Sequence, residues 1–339
     1  MEGAAVGSST SNSGLRPVRD REIGHSRVAA PAIRAVGLCK FYRSNWTFKV
    51  TRGLESLDLE VERGEVLGLL GPNGAGKTTT LKLLTGLLTP SAGQAWLLGV
   101  SIDETACRRS LGFLPEQPYF YDYLTARELM GYFAALSEVP AKERTRRIEA
   151  SLTRVGLAQD AWDTQLRKFS KGMLQRVGLA QAILHEPKLI VLDEPMSGLD
   201  PMGRREVRDL IEELHEEGKT ILFSTHILSD AEALCDRVAV IGKGELRGIG
   251  VVADLTASVK GKVEIMWSGP QAIPALAASG LDPHATGETV RVIVPEEKVD
   301  QTIDVLRSQK ARLIAVTPMR STLEDYFVAK LAAPAESAR

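Results

Sequence analysis

The stretch Val66-Leu67-Gly68-Leu69-Leu70-Gly71-Pro72-Asn73-Gly74-Ala75-Gly76-Lys77-Thr78-Thr79 decides how the rest of the chain is read. An apolar run of strand length enters a glycine-rich loop of the form G-x-x-x-x-G-K-[ST], and a helical pattern follows over 79–84. Glycines let such a loop curl until its backbone N–H groups point inward, and the positive end of the next helix adds to that field. The result is a cradle for phosphate. Gly71, Pro72, Asn73, Gly74, Ala75, Gly76, Lys77, Thr78 and Thr79 would surround the phosphates of a nucleotide. Lys77 would reach the terminal phosphates, and the Thr78 hydroxyl would hold Mg²⁺.

A second apolar run, Leu189-Ile190-Val191-Leu192, ends in Asp193-Glu194-Pro195. In a parallel sheet the carboxyl ends of the strands line the ligand crevice. Asp193 is therefore placed to bind Mg²⁺, and Glu194 to polarise an attacking water.

The runs 66–70, 189–192, 220–224 and 238–241 are all uniformly apolar, as expected of strands covered on both faces in a parallel α/β sheet. The segments 125–136 and 142–155 read as amphipathic helices, the first opened by the capping box Thr125-x-x-Glu128. No strand candidate lies within 120–165, which reads as a helical insertion. Beyond 256 the pattern changes to short strands at 262–267, 290–294 and 313–317, with helical patterns at 296–308 and 321–331. In the last of these, Ser321-x-x-Glu324 forms a capping box. Leu323, Phe327 and Leu331 form a stripe expected to pack on the three local strands, the alternative being a dimer contact or substrate-linked regulation.

Composition narrows the class. A chain of 339 residues is long enough for about two domains, and 44% apolar with 25% charged residues excludes a disordered or fibrous protein. Lys+Arg 42 against Asp+Glu 43 leaves a net charge of -1, so no basic field argues for nucleic acid. Cys39, Cys107 and Cys235 are far apart, without metal-ligand spacing, and read as reduced thiols. Residues 1–32 are rich in Gly, Ser, Ala and Arg without an apolar core, which suggests a disordered tail and no signal peptide. No apolar run approaches the ~20 residues of a membrane helix, so the chain is not expected to span a bilayer by itself.

Over about 34–250 these motifs resemble those of the nucleotide-binding subunit of ATP-binding-cassette transporters. Phe169-Ser170-Lys171-Gly172-Met173-Leu174-Gln175-Arg176 is similar to the family's signature motif, usually L-S-G-G-Q. Lys171 and Met173 depart from that pattern, while Ser170 and Gly172 keep it. The resemblance implies that this helix N-terminus is aimed at the γ-phosphate held by an opposite subunit, with Ser170, Lys171 and Gly172 beside it. Ser197-Gly198-Leu199-Asp200 resembles the D-loop, so Asp200 would link the two sites. Phe223-Ser224-Thr225-His226 resembles the switch segment, which makes His226 a γ-phosphate contact and a catalytic residue beside Lys77 and Glu194. Within Gly112-Phe113-Leu114-Pro115-Glu116-Gln117, the lid glutamine's slot falls on Glu116, with Gln117 one residue later; either would touch Mg²⁺ or the attacking water. Tyr42 in Leu38-Cys39-Lys40-Phe41-Tyr42 looks like the adenine-stacking aromatic. Trp46 and Phe48 stand in the extra residues that follow it.

The resemblance thus implies an α/β P-loop NTPase (RecA-like) core over 33–255, with its helical insertion. A small C-terminal α+β domain over 256–333 and a tail at 334–339 would follow. It implies ATP and Mg²⁺ as ligand and cofactor. The implied partners are a transmembrane permease and a second ATP-binding subunit, identical or similar, with no nucleic acid. The location would be peripheral, on the cytoplasmic side of the cell membrane. The signature segment, the stretch 192–200 and the C-terminal appendix look most like the subunits of two-component exporters. The alternative is a soluble cassette ATPase acting on ribosomes or nucleic acid. Such proteins usually carry two cassettes, coiled-coil arms or a zinc module, none of which this sequence holds.

Overall fold

Each uniformly apolar run is a strand buried from both sides in a computed structural model, which describes residues 30–43, 50–320 and 322–332. Trp46, Phe48, Ser321, residues 1–29 of the expected N-terminal tail and the expected tail at 334–339 lie outside those residues. The chain opens with β1 (Ile33–Arg43), β2 (Val50–Val61), β3 (Val66–Leu70), α1 (Lys77–Leu84), β4 (Ala92–Leu97), β5 (Val100–Ser101) and β6 (Leu111–Leu114). The helices α2 (Ala126–Leu136), α3 (Ala141–Arg154) and α4 (Lys171–Ile183) come next. Strands and helices then alternate through β7 (Leu189–Asp193), α5 (Pro201–Glu216), β8 (Thr220–Thr225), α6 (Leu228–Leu234), β9 (Arg237–Gly242), β10 (Glu245–Val251) and α7 (Val252–Leu255).

These strands form one sheet in the order β5-β4-β1-β2-β10-β9-β3-β8-β7-β6. From β9 to β6 all pairings are parallel, while β1, β2, β4 and β5 form an antiparallel wing. Alternation explains the apolar runs. Val66 and Leu70 of β3, Ile190 and Leu192 of β7, and Ile221 and Phe223 of β8 enter the core under α2 to α6. Leu67, Leu69, Leu189, Val191 and Leu222 enter the opposite core, with Leu81, Leu83 and Leu84 of α1. A strand with two apolar neighbours layers has no polar face to show. The wing strands were not among the sequence candidates, because β1 and β2 alternate buried with exposed positions and interrupt that pattern with bulges.

The segment 120–165 holds two α-helices, a short 3-10 turn at Gln159–Ala161 and a single isolated bridge, Thr125 to Gln165, between its ends. α2 starts with the expected box: the Glu128 N–H donates to Thr125 Oγ1, and the Thr125 N–H donates back to Glu128 Oε2. Arg154 pairs with Glu213 and Glu217, and Arg176 with Glu206, so ion pairs bind α3 and α4 to α5.

The C-terminal part contains β11 (Ser258–Ser268), α8 (Ile273–Ala278), β12 (His284–Thr286), β13 (Thr289–Pro295), α9 (Val299–Ser308), β14 (Arg312–Arg320) and α10 (Leu323–Ala332). The sheet order β12-β13-β11-β14, antiparallel throughout, is that of a split βαβ, ferredoxin-like unit. β12 has three residues, all exposed, which is why no apolar signal marked it. Trp267, Ile265, Val292 and Leu306 belong to this unit's own core.

Two expectations for the last helix are corrected. Its capping box is Thr322 with Asp325, one residue beyond the Ser321–Glu324 spacing: the Asp325 N–H donates to Thr322 Oγ1, and the Thr322 N–H donates to Asp325 Oδ2. Those bonds from Thr322 hold the Asp325 carboxyl below the usual carboxylate range. The apolar stripe does not pack on the local strands. Leu323 is fully buried in the main core, and Phe327 and Leu331 lie against that core with α6, β9, β10 and α7 as neighbours. A helical stripe reports that a face is buried but not which surface buries it. Leu323→Ala is expected to cost about 2–5 kcal/mol, the usual loss for a fully buried leucine. Urea unfolding of the two chains measures it.

Candidate nucleotide-binding site

Parallel register sets the site. Leu70 of β3 pairs with Thr225 of β8, and Asp193 of β7 pairs with Ser224. The three strands therefore end level, and the loop from Gly71, Glu194 and His226 all emerge at one edge. β6, beside β7, ends there at Leu114 and delivers Glu116 to the same place. The cleft they form has a volume of about 470 Å³, within the ordinary range for a small-molecule site. It is lined by Pro72 to Thr79, Glu116, Glu194, Ser197 and His226, with Gly53 from β2 at one end.

The loop is held shut from below. Gly76 caps α1 with φ 112 and ψ 1, a left-handed conformation that a side chain would strain. α1 itself begins at Lys77, earlier than the periodicity suggested, so the amides of Lys77, Thr78 and Thr79 form its first turn. Lys77 is 6% exposed; its Nζ donates to Gly71 O at 2.7 Å and lies 3.3 Å from Glu194 Oε1. Ala75 O accepts the Gly244 N–H at 2.8 Å, which ties the loop to the β9–β10 turn.

Ser224 was not singled out by sequence, and it organises both carboxylates. Its hydroxyl donates to Asp193 Oδ1 at 2.6 Å, and its oxygen accepts the Glu194 N–H at 2.9 Å. Glu194 has φ 48, a conformation costing a non-glycine residue about 1–3 kcal/mol, and the serine bond holds it there. The signal was present: a serine two residues before His226, at the end of an otherwise apolar strand. Glu194 Oε2 lies 2.9 Å from His226 Nδ1, where an Nδ1–H donates to the carboxylate.

Among the described residues no group of three or more His, Cys, Asp or Glu side chains could hold a metal by itself. The donors that are present suit Mg²⁺: the hydroxyl of Thr78, which lines the cleft at the start of α1, and the 1%-exposed carboxylate of Asp193 at the end of β7. Mg²⁺ keeps several waters and takes one or two protein oxygens plus phosphate oxygens, so this sparse set fits it.

Other expected residues fall elsewhere. Glu116 lines the cleft, whereas Gln117 lines the neighbouring groove with Phe120, Phe169 and Leu174, and its Oε1 accepts from the Tyr119 hydroxyl at 3.3 Å. Tyr42 stands at the rim, its hydroxyl 3.4 Å from Thr79 Oγ1 and its ring under Lys40 Nζ at 5.7 Å. Ser170 caps α4 by accepting the Met173 N–H at 3.2 Å. Ser170, Lys171 and Gly172 line a separate groove with Gly198, Leu199 and Asp200, and no residue of that groove lines the phosphate cleft. Asp200 caps α5, its Oδ1 accepting the Gly203 N–H.

Fold and site together define a P-loop nucleotide-binding protein. A family model described as ABC transporter matches residues 54–197. The chain is 42% identical over 315 residues to an uncharacterized ABC transporter ATP-binding protein of Synechocystis sp., covering 90% of this chain and 86% of that relative. It is 40% identical over 217 residues to the bacitracin transport ATP-binding protein of Bacillus licheniformis, covering 63% of this chain and 68% of that one. A solved ATP-binding subunit of an ABC transporter superposes with a TM-score of 0.60 at 32% identity, over 66% of this chain and 91% of its own. The chain belongs to the ABC transporter ATP-binding proteins.

Ser224→Ala leaves the buried Asp193 carboxylate without its donor and the Glu194 amide without its acceptor. Stability is expected to fall by about 1–3 kcal/mol. Nucleotide affinity should fall more in the presence of Mg²⁺ than in its absence, a difference measured by parallel calorimetric titrations.

Proposed function

We propose that this chain binds and hydrolyses ATP and thereby powers transport, outward in direction, through a separate membrane-spanning partner. The observation that carries the reading is the division of the site: Ser170, Lys171 and Gly172 at the helix end are not among the residues that line the phosphate cleft of the same chain. A second cassette, identical or similar, set head to tail would bring its Ser170, Lys171 and Gly172 to this cleft. There the helix N-terminus and serine hydroxyl would meet the terminal phosphate. ATP would then join the two subunits, and its hydrolysis would release them.

The residues divide the work. Lys77 and the loop amides offset the phosphate charge, and Tyr42 offers its ring to the base at the rim. Thr78 and Asp193 would hold Mg²⁺, which supplies charge neutralisation to the phosphate oxygens when bound. Glu194 takes the proton of the attacking water while His226 holds that carboxylate in place. Glu116, which lines the cleft, is favoured over Gln117 as the lid residue.

No helix among the described residues is long and apolar enough to cross a membrane. A partner would therefore supply the pathway, with this chain docked on the cytoplasmic face. The groove beside the helical insertion, lined by Phe113, Tyr119, Phe120, Phe133 and Leu136 with Arg108 and Arg109, offers an apolar surface for it. A transport role is supported by likeness to a protein named for bacitracin transport.

Lys77→Ala is expected to abolish measurable ATP binding, because among the described residues lining the cleft Lys77 is the only lysine or arginine; full affinity in a titration would contradict the reading of the loop. Glu194→Gln should keep binding but lose about two to four decades of turnover, the worth of a general base. That variant should also sediment as a dimer with Mg-ATP. Wild-type turnover would remove Glu194 from the role of base.

A further inference from the structure

α6 has seven residues, too few to form a stable helix unsupported, and it starts two residues after His226. Its position is therefore set by what touches it. Arg208 of α5 donates to the buried Asp230 Oδ1 at 3.2 Å. Ala231, wholly buried, packs over β3 at Gly68. The third support comes from the far end of the chain. Glu232 Oε1 accepts the N–H of Leu323, the first residue of α10, at 2.7 Å, and the Leu323 side chain is buried in the core that also holds Ala231 and Leu234.

The cassette is shaped to seat α10. Gly248 of β10 lies under Tyr326, where an added Cβ would stand 2.6 Å from the phenol oxygen. Gly242 at the end of β9 lies under Leu331, where an added Cβ would stand 2.8 Å from the leucine methyl. A Cβ at either position would force those side chains to shift. None of the residues of α10 lines the phosphate cleft. Its effect on the site must pass through the elements on which it sits: β9, whose turn to β10 bonds Ala75 of the loop, and α6, which follows the switch histidine directly.

We propose that α10 positions the switch histidine: by capping and packing α6 it fixes where the chain turns at Thr225, His226 and Ile227, and so holds the imidazole on Glu194. The Ile227 N–H donates to Thr225 Oγ1 at 3.0 Å, a bond that spans this turn between β8 and α6. Glu232 and Leu323 are positioning residues in this account, acting through His226 on a site they do not touch. The C-terminal unit, joined to α10 through β14, thereby gains a mechanical hold on the hydrolytic residues. This inference rests on the reading of Glu194 as the base.

Glu232→Ala and Glu232→Gln in the full chain test it, since alanine leaves the Leu323 N–H without its acceptor and glutamine restores a carbonyl oxygen. Turnover in Glu232→Ala is expected to fall about fivefold, equivalent to ~1 kcal/mol and to one hydrogen bond. Affinity for a fluorescent ATP analogue should stay as in the wild type, and Glu232→Gln should recover the turnover. Amide hydrogen exchange should quicken across 226–234 in Glu232→Ala and stay unchanged across 71–84. Wild-type turnover in Glu232→Ala would overturn the proposal. So would a loss shared equally between turnover and nucleotide affinity, or a Glu232→Gln chain as slow as Glu232→Ala. If the wild-type chain binds the analogue but hydrolyses no ATP, the hydrolytic reading fails instead. Exchange across α6 then decides the positioning claim, and an unchanged rate there overturns it.

Discussion

Parallel hydrogen bonding between β3, β8 and β7 is the constraint on which the site depends. It sets Leu70 level with Thr225 and Asp193 level with Ser224, so three segments distant in sequence reach one edge together. Strand register advances in steps of two residues per face. A slip of one residue in β8 would turn Ser224 away from Asp193 and move the whole apolar set of that strand to the wrong core. The burial that stabilises the sheet and the geometry that forms the cleft are therefore the same requirement.

Around that edge the polar groups answer one another in a chain. Ser224 holds the Asp193 carboxylate and the strained Glu194 backbone, Glu194 faces Lys77 and His226, and Lys77 is held by Gly71 O. All of these but the exposed His226 are withdrawn from water and cost free energy when unpaired, so each buried partner fixes the next. The loop is fixed from outside as well, because Gly244 donates to Ala75 O while Gly244 O accepts the Glu55 N–H. The antiparallel wing and the β9–β10 turn thus hold the loop in position without entering the cleft.

The C-terminal unit shows a different use of burial. Its four strands and two helices enclose their own core, around Trp267, and need nothing from the large sheet for that. Its final helix nonetheless returns to the large sheet's core with Leu323. α7, which precedes the small unit, and α10, which follows it, both place side chains in the large sheet's core.

The sequence by itself determined the local and repetitive features. Uniform apolar runs marked β3, β7, β8 and β9, because strands buried on both faces leave no alternative pattern. The phosphate loop was legible because glycine spacing and a lysine at the helix start encode backbone shape directly. The Thr125 capping box was legible because all its bonds lie within one turn. What only the tertiary structure decided are the relations between distant segments. Ser224 gained its role by standing opposite Asp193 on the next strand, and Glu116 was separated from Gln117 by which of two adjacent residues faces the cleft. α10 chose the cassette over the sheet beside it. In each case the deciding contact joins residues far apart in the chain, and periodicity reports only that a face is buried, not the surface that buries it.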